Sequence, residues 1–347
     1  MTPLGGDLEV FLDETPGETR GAVMRDGRYT HLLIQREGDC PQTRLGARSV
    51  GRVIEVNPGL RGAFVDIGAD SPAFLSFPRN DRLMQGQRLE VVVTAESRRG
   101  KGATVRRLGP AEGAPRLLET APSIALQLQR LAPGVESVTG IEAIDAVLEA
   151  EDEVLGRTHA FTSAGIDLSI ERTRALVAVD VDYAPTPGRD PKQGRAIANR
   201  EGLRQAARLI ELRNWAGLIV IDLVGDGQDG EAQLKAARAS FAHEPQAVFA
   251  PVSRFGLLQL SLPWRRTPIE EVLLGQDGRV TVQTHALSLV RRLRRQLLAD
   301  TATPRLVARC APEEASVAGL LVARLGPRAS VLSDAAVAVG RGHIEEN

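Results

Sequence analysis

The sequence predicts a multidomain protein of the α/β (α+β) class. Three observations support this prediction: short alternating strands between residues 47 and 107, alternating strand and helix patterns between 175 and 262, and a segment rich in Pro, Gly and Ala at 108–122 that separates them. With 347 residues, the chain is long enough for two or three domains.

The composition limits the class of protein further. The chain has 43 basic and 44 acidic residues and a formal charge of -1, so any nucleic-acid site must be local. Cys40 and Cys310 lie far apart without a CxxC pair, which argues against a disulfide framework and a local cysteine-based zinc site. The sequence shows no signal-peptide pattern and no apolar stretch of about 18 residues, so we expect a cytoplasmic protein without a membrane span.

The N-terminal half reads as strands. Residues 8–35 contain three strand patterns, and the dipeptide Asp26-Gly27 predicts a hairpin between the second and the third. Five further strand patterns lie between residues 47 and 107: SVGRVIEV, RGAFVDIG, PAFLSF, RLEVVVTAE and GATVRRL. Five short strands at regular spacing predict a small barrel, and the OB-fold is the commonest five-stranded barrel of this size.

The second half alternates between the two types of element. Strands are predicted at 175–182, 217–223, 246–250 and 257–262, with helices at about 195–213 and 229–242. A final block, 279–343, contains the strand pattern VTVQTH, the basic helix ALSLVRRLRRQLL and further short elements, and it predicts a small separate α/β unit.

Two apolar strand patterns end in aspartate. ALVAVDVD ends with Asp180 and Asp182, which share one face of the strand, and AGLIVID ends with Asp222. Ligands of open α/β sheets bind beyond the carboxyl ends of the strands, so Asp180 and Asp222 are expected on one rim. Facing carboxylates repel each other, and Mg²⁺ or Mn²⁺ relieves that repulsion. The alternative is that these aspartates only cap helices or meet solvent.

Longer motifs resemble a known family. The segments ALVAVDVDYAPTPG, NREGLRQAARLIELRNWAGLIVIDLVGDG and PVSRFGLLQLSLPWRRTPIEEVL are similar, in order and spacing, to the catalytic core of the ribonuclease E and G family. GRVIEVNPGLRGAFVDIGADSPAFLSF resembles the RNA-binding OB-fold of that family.

The resemblance implies an order of domains. It implies an RNase-H-like subdomain interrupted by an OB-fold, then a DNase-I-like catalytic domain and a small C-terminal domain. The corresponding ranges are 1–44 and 109–172 for the RNase-H-like subdomain, 45–108 for the OB-fold, 173–275 for the catalytic domain and 276–347 for the C-terminal domain.

The same resemblance implies roles for individual residues. Asp180 and Asp222 match the two metal-binding aspartates of the family. Asp182 stands where the family commonly has an asparagine that positions the scissile phosphate, and a carboxylate there either joins the metal site or repels the phosphate. Asn199 and Arg254 match an asparagine and the arginine of the SRFG motif; we expect Arg254 to face the rim of the sheet and Phe255 to pack below it.

An RNA-binding surface is implied on the barrel. Phe64 and Phe74 match aromatic residues that stack on bases, and Lys101 matches a basic residue beside them. Arg98 and Arg99 belong to a local basic patch within 98–107. Taken singly, the phenylalanines could be barrel core and the cations a solvated edge. The basic helix, with Arg291, Arg292, Arg294 and Arg295, reads as solvated surface or as an RNA contact.

Two modules of the family have no counterpart in the sequence. The interval from 107 to 174 is too short for a domain that senses a 5′-monophosphate, and LLGQDGRV stands where the family has the cysteine motif of its zinc link. We therefore expect no zinc, and a monomer or a homodimer that is not linked by zinc.

The predicted function is that of a Mg²⁺-dependent (or Mn²⁺-dependent) endoribonuclease acting on single-stranded RNA, in processing or decay including rRNA maturation, with 5′-phosphate and 3′-hydroxyl products. A non-catalytic RNA-binding or ribosome-associated protein is the alternative. A small-molecule phosphohydrolase is a third reading, but it leaves the barrel unexplained.

Overall fold

The computed structural model describes residues 7–78, 82–185, 190–225 and 230–346. The chain divides into two compact units, one formed by 1–151 together with 267–347 and the other by 152–266. None of the helices in the described part of the chain is both long and apolar enough to cross a membrane.

The first unit begins with an antiparallel sheet. Its three long strands are β1 (Leu8–Thr15), β2 (Glu18–Arg25) and β3 (Arg28–Arg36). Asp26 and Gly27 both have positive φ, at 52° and 69°, which suits the tight turn between β2 and β3. The hairpin predicted from this dipeptide is confirmed.

A closed barrel of five strands follows. It uses β4 (Arg48–Asn57), β5 (Gly62–Asp66), β6 (Ala73–Ser76), β7 (Arg88–Ala95) and β8 (Thr104–Pro110). The strands pair in the order β5-β6-β8-β7-β4, and a further pairing of β4 with β5 closes the ring. Alternate apolar residues such as Val53, Val65 and Leu75 fill the interior. The predicted five-stranded barrel is confirmed.

The segment 108–122, rich in Pro, Gly and Ala, contains a short strand that its composition did not predict. A short strand, β9 (Arg116–Glu119), pairs with β4 outside the ring. Then come α1 (Ile124–Leu131), β10 (Ser137–Val138) and α2 (Ile141–Leu155). β10 joins the first sheet parallel to β1, and α1 packs its buried Ile124 and Leu128 against that sheet. The chain thus returns from the barrel to the sheet in which it began.

The second unit is built on one mixed sheet of six strands. Its elements are β11 (Thr158–Phe161), β12 (Ile166–Arg172), β13 (Val177–Tyr183), α3 (Pro191–Leu212), β14 (Gly217–Asp222), α4 (Gly230–Ser240), β15 (Val248–Phe249) and β16 (Leu258–Leu262). The strand order is β11-β12-β13-β14-β16-β15, and only β13 and β14 run parallel. The start predicted for the second helix, residue 229, lies outside the described residues.

The C-terminal residues complete the first unit. They form α5 (Ile269–Leu273), α6 (Val282–Ala299), β17 (Leu306–Cys310), α7 (Pro312–Ala323), β18 (Ala329–Ser333) and β19 (His343–Glu346). The three strands make a small sheet in the order β18-β17-β19. The expected strand VTVQTH is wrong for most of its length, because α6 begins at Val282, where the side chain of Thr281 accepts a hydrogen bond from the backbone N–H of Thr284.

The structure also differs from the predicted domain boundaries near 172 and 276. β11 and β12 lie within the predicted range 109–172, but β12 hydrogen-bonds to β13 along its whole length, so both strands belong to the sheet that carries Asp222. Residues 276–347 are not a separate unit, because they cluster with the N-terminal part of the chain.

The arginines of the basic helix, α6, have other partners than the sequence predicted. Arg291 is fully buried and donates to Asp13 and Glu18, while Arg294 donates to Asp13. Arg292 donates to the carbonyl of Gly342, and Arg295 pairs with Asp145. Both sequence interpretations of this helix, as a solvated face or as an RNA contact, are therefore wrong for Arg291: its charge neutralises carboxylates of β1 and β2.

This buried ion network also explains an unusual carboxylate. Burial alone would raise the pKa of Glu18, but the nearby guanidinium groups of Arg20, Arg291 and Arg36 lower it to about 2. Glu18 and Arg20 are both inaccessible to solvent. Removal of either side chain would leave a buried charge without one of its partners, which destabilises the folded protein.

Candidate functional site

The two faces of strand β13 differ in burial. Val177, Val179 and Val181 are buried, whereas Asp180 and Asp182 are exposed. Helix α3 packs on the buried face, and its Gly202 allows the close approach, since a Cβ at that position would lie 2.7 Å from Cγ1 of Val181. The helix therefore fixes the strand from one side and leaves both carboxylates on the other.

Asp180 and Asp222 lie directly opposite each other. The parallel pairing of β13 with β14 puts their Cα atoms in register, on strands about 4.8 Å apart. Partial burial, followed by the negative charges of Asp182 and Asp222, raises the pKa of Asp180 above its usual range. The three carboxylates thus interact electrostatically on one open face of the sheet.

A fourth carboxylate on this face was missed from the sequence. Asp167 of β12 is the antiparallel partner of Asp182, and it is exposed as well. Alternation in IDLSI places Asp167 on the polar face of its strand, but the sequence does not reveal which residue of β13 it faces. Like charges directly opposite each other in a sheet are destabilising, so this face carries unfavourable repulsion in the absence of a cation.

No protein cation relieves that repulsion within the described part of the chain. Between described residues, no ion pair involves Asp180, Asp182 or Asp222. Among the same residues, no group of three or more acidic, His or Cys side chains converges tightly enough to enclose a metal ion. A cation held by only a few carboxylates keeps open positions for water and ligand oxygens, which is how Mg²⁺ is commonly bound.

Asn199 acts on the backbone that follows Asp222. It is buried in α3, where its side-chain amide donates to the carbonyl of Val224 at 2.9 Å and its carbonyl accepts from the N–H of Val224 at 2.9 Å. This two-bond clamp lies two residues after Asp222. Asn199 therefore positions the end of β14 rather than facing the open sheet.

The SRFG motif forms the tip of the hairpin between β15 and β16. Arg254 is exposed, as expected for a residue at the rim, but the expectation that Phe255 packs below it is wrong, because Phe255 is 88% exposed. The hydroxyl of Ser253 accepts hydrogen bonds from the N–H groups of Phe255 and Leu257, which turns the backbone so that the ring points outward.

On the barrel, Phe64 and Phe74 are not core residues. The interior is formed by the residues that alternate with them, while these two are register partners on the outer face and remain half-buried. Their rings meet edge to face, with centroids 5.7 Å apart. Gly62 makes room for this arrangement, since a Cβ there would overlap the ring of Phe74.

The basic hairpin lies beside this aromatic pair. Arg98 and Lys101 bridge each other through their backbones, and Ala103, two residues later, accepts a hydrogen bond from the N–H of Phe74. Lys101 is exposed at the tip. Arg99 already has hydrogen-bond partners in the first unit: its backbone N–H donates to Glu271 and its guanidinium donates to the carbonyl of Gly275.

The second unit is thus an α/β layer with an acidic site at the ends of two parallel strands. Its sequence places it among known proteins: residues 127–263 match the sequence model of the Ribonuclease E/G family. That match contains every strand of the sheet and all four carboxylates. The resemblance noted from the motifs is confirmed by this match.

Individual relatives match over shorter stretches. Ribonuclease G of Haemophilus influenzae is 38% identical over 68 residues, which are 20% of this chain and 13% of that protein. Ribonuclease G of Escherichia coli is 42% identical over 67 residues, 19% of this chain and 13% of the relative. A protein named Putative ribonuclease E, from Buchnera aphidicola subsp. Baizongia pistaciae, is 27% identical over 134 residues, 36% of this chain and 32% of its own length. The matches therefore span about a third or less of each relative.

Proposed function

We propose that this chain is a metal-dependent endoribonuclease that hydrolyses single-stranded RNA and leaves 5′-phosphate and 3′-hydroxyl ends. The observation that carries the proposal is the register pairing of Asp180 with Asp222, inside the segment that matches the Ribonuclease E/G family. The relatives that match part of the chain are named as ribonucleases. RNA processing or decay in the cytoplasm, including rRNA maturation, is the process in which we expect it to act.

We assign catalysis and RNA binding to different units of the chain. The sheet of 152–266 is the catalytic, DNase-I-like part, and the barrel is an OB-fold that binds RNA. The strands and helices that surround the barrel in sequence correspond to an RNase-H-like subdomain. We expect a monomer or a dimer without a zinc link.

The donor set of the acidic face suits Mg²⁺, with Mn²⁺ as a substitute. Asp180 and Asp222 supply hard oxygen ligands from neighbouring strands. Partial burial, and then the negative charges of Asp182 and Asp222, raise the pKa of Asp180, and a bound cation would neutralise those charges. When bound, the metal would lower the pKa of a water ligand and stabilise charge on the phosphate. Zinc is not expected at this site, which offers carboxylates rather than thiolates or imidazoles.

The protein's own part in the reaction is positioning. The rigid strands β13 and β14 hold the two carboxylates in register, and Asn199 fixes the backbone after Asp222. Asp182 points to the same face, and its charge adds to the effect of partial burial in raising the pKa of Asp180. We assign Asp182 to the catalytic group as a modulator of the metal site: replacing it with asparagine lowers activity if it is a ligand and raises activity if it repels the phosphate.

RNA binding is assigned to the outer face of the barrel. Phe64 and Phe74 offer aromatic surface to bases, with Lys101 and Arg98 beside them for phosphates. Arg99 is a weaker candidate, because its guanidinium already donates to Gly275. We propose that Arg254, which is exposed at the rim of the acidic sheet, contacts phosphates of the RNA strand as well.

One assay tests the proposal. An end-labelled single-stranded RNA is incubated with the chain in Mg²⁺ or in EDTA, next to the variants Asp180→Asn and Asp222→Asn. We expect metal-dependent fragments, reduced about 100-fold or more in both variants, since several kcal/mol of charge stabilisation are lost. The matched control is Glu171→Gln, an exposed carboxylate of β12 that faces Ala178 rather than an aspartate.

The alternative function, RNA binding without catalysis, predicts a different outcome. It is favoured by Asp182, the carboxylate that stands where the family commonly has an amide. If the wild-type chain binds the RNA in both buffers but yields no fragments, the nuclease proposal is wrong and the binding protein remains. A small-molecule phosphohydrolase would show phosphate release from small phosphoesters and no RNA binding by the barrel.

A further inference from the structure

The most exposed aromatic side chain of the second unit lies at the rim of the acidic sheet. Phe255 is 88% exposed, although burying a phenylalanine typically stabilises a protein by about 1.5–3 kcal/mol. The exposure is imposed by local structure. Ser253 accepts from two backbone N–H groups of the loop, its own N–H donates to the carbonyl of Leu257, and Gly256 adopts a φ of 79°.

The hairpin tip lies at the same end of the sheet as the carboxylates. Leu258 pairs in register with Ile221, the residue before Asp222, and β16 runs antiparallel to β14. Phe255 precedes Leu258 by three residues, so its Cα lies no more than about 11 Å from that of Leu258. The tip therefore extends past the end of β14, near the pair formed by Asp222 and Asp180.

Contacts on both sides of the tip keep it in place. Before the turn, Val252 packs against the start of α4, since a Cβ at Gly230 would lie 3.3 Å from the Cβ of Val252. The N–H of Ala250 donates to the carbonyl of Gln259 at 3.0 Å, which extends the β15–β16 pairing toward the tip. Phe255 is thus presented by an ordered hairpin rather than by a free loop.

The chemistry at the tip suits one kind of ligand. An exposed ring next to an exposed arginine, Arg254, combines a stacking surface with a charge for phosphate, the combination by which proteins hold single-stranded nucleic acid. A protein that binds at this tip would need a larger apolar contact surface than the ring of Phe255 provides. A single base needs only that ring.

We propose that Phe255 stacks on a base of the RNA strand next to the bond that is cleaved, and so selects which nucleotide enters the acidic site. This inference rests on the proposed function, because it takes RNA as the ligand of the acidic face. It adds a specificity-determining residue on the catalytic unit, distinct from the aromatic pair of the barrel.

The test combines protein variants with modified RNA. The full chain in EDTA, where the strand stays intact, is titrated into a fluorescein-labelled single-stranded RNA, and binding is read as fluorescence anisotropy. Abasic residues are placed at each position in turn. The proteins are wild type, Phe255→Ala, Phe255→Trp and the control Leu320→Ala, which removes an 82% exposed apolar side chain from α7.

Stacking predicts a specific coupling. Phe255→Ala should weaken binding about 5- to 150-fold, Phe255→Trp should retain it, and Leu320→Ala should have no effect. One abasic position should weaken binding to wild type by a similar factor and should have no further effect on Phe255→Ala. In Mg²⁺, the cleavage site of the intact RNA should lie next to that position.

The outcomes separate the inference from the function on which it rests. If wild type cleaves the RNA but every abasic position affects wild type and Phe255→Ala equally, the stacking role is refuted while the nuclease stands. If the coupling is found but no cleavage occurs in Mg²⁺, the nuclease proposal is refuted and Phe255 is an RNA-binding residue. A Phe255→Leu variant that binds as well as Phe255→Trp would also refute stacking, since leucine is apolar but has no ring.

Discussion

Replacing Asp222 with asparagine should stabilise the metal-free protein. Asp222 faces Asp180 across two parallel strands, and the pKa of Asp180 is raised by partial burial and by the charges of Asp182 and Asp222. A carboxyl whose pKa rises on folding destabilises the fold more as pH increases through that pKa, because the folded chain holds the proton more tightly than the unfolded chain. Above that pKa the repulsion is fully present, and its removal should raise the free energy of unfolding by about 0.2–1 kcal/mol.

Mg²⁺ should reverse the order of stability. A cation bound only to the folded state at ten times its Kd adds about 1.4 kcal/mol to the wild type. Asp222→Asn, which has lost a ligand, should gain much less. The measurement is thermal unfolding of chelator-treated protein at pH 7, with and without Mg²⁺, and the expected shifts are a few degrees for a unit of this size.

The matched variant for this experiment is Glu171→Gln. It removes one exposed carboxylate from the neighbouring strand, opposite Ala178, so the full response to Mg²⁺ should remain. Equal stabilisation of wild type and Asp222→Asn by Mg²⁺ would refute the assignment of Asp222 as a metal ligand. A metal-free Asp222→Asn protein that is less stable than wild type would refute the repulsion itself.

Three further predictions concern the residues that support the two sites. Asn199→Ala should lower cleavage activity and destabilise the second unit by about 1–3 kcal/mol in urea unfolding, because it leaves the partly buried N–H and C=O groups of Val224 without their side-chain partner; unchanged stability would contradict this role of Asn199. Gly62→Ala should displace the ring of Phe74 and weaken RNA binding about as much as Phe74→Ala does, whereas Gly109→Ala, on a barrel strand with open space around it, should bind normally in the same anisotropy titration. Arg291→Met should destabilise the first unit by up to about 3–5 kcal/mol in chemical unfolding, because the buried carboxylates of Asp13 and Glu18 each lose one of their guanidinium partners; a loss below about 1 kcal/mol would show that the remaining arginines neutralise both carboxylates.

The fold was predicted best where the pattern is local. The hairpin at Asp26-Gly27 and the five strands of the barrel follow from turn residues and from alternation of apolar with polar side chains, which short-range geometry enforces. The strand expected in VTVQTH failed because Thr281 starts a helix whose buried face lies in the first unit. Alternation over six residues did not distinguish these outcomes.

The part of the candidate site that depends on local strand geometry was also predicted from the sequence. That Asp180 and Asp182 share a face is a property of any strand, and the structure has both exposed on β13. That Asp167 faces Asp182, and that Asn199 binds the backbone of Val224, depends on register and on helix packing between distant residues. The outward orientation of Phe255 depends on the turn that Ser253 stabilises, which the motif alone did not indicate.

The sequence by itself determined the strands of the barrel, the hairpin at Asp26-Gly27, the two strands that end in aspartate and the resemblance to the ribonuclease E/G family, because these are properties of neighbouring residues. The tertiary structure alone decided which charges meet. It buried Arg291 of a basic helix against Asp13, 278 positions away, and it left Asp180 and Asp222 facing each other on an open sheet. The physical reason is that a charge has no fixed role in a sequence: its energy depends on its distance from other charges and from water, and only the folded chain sets those distances.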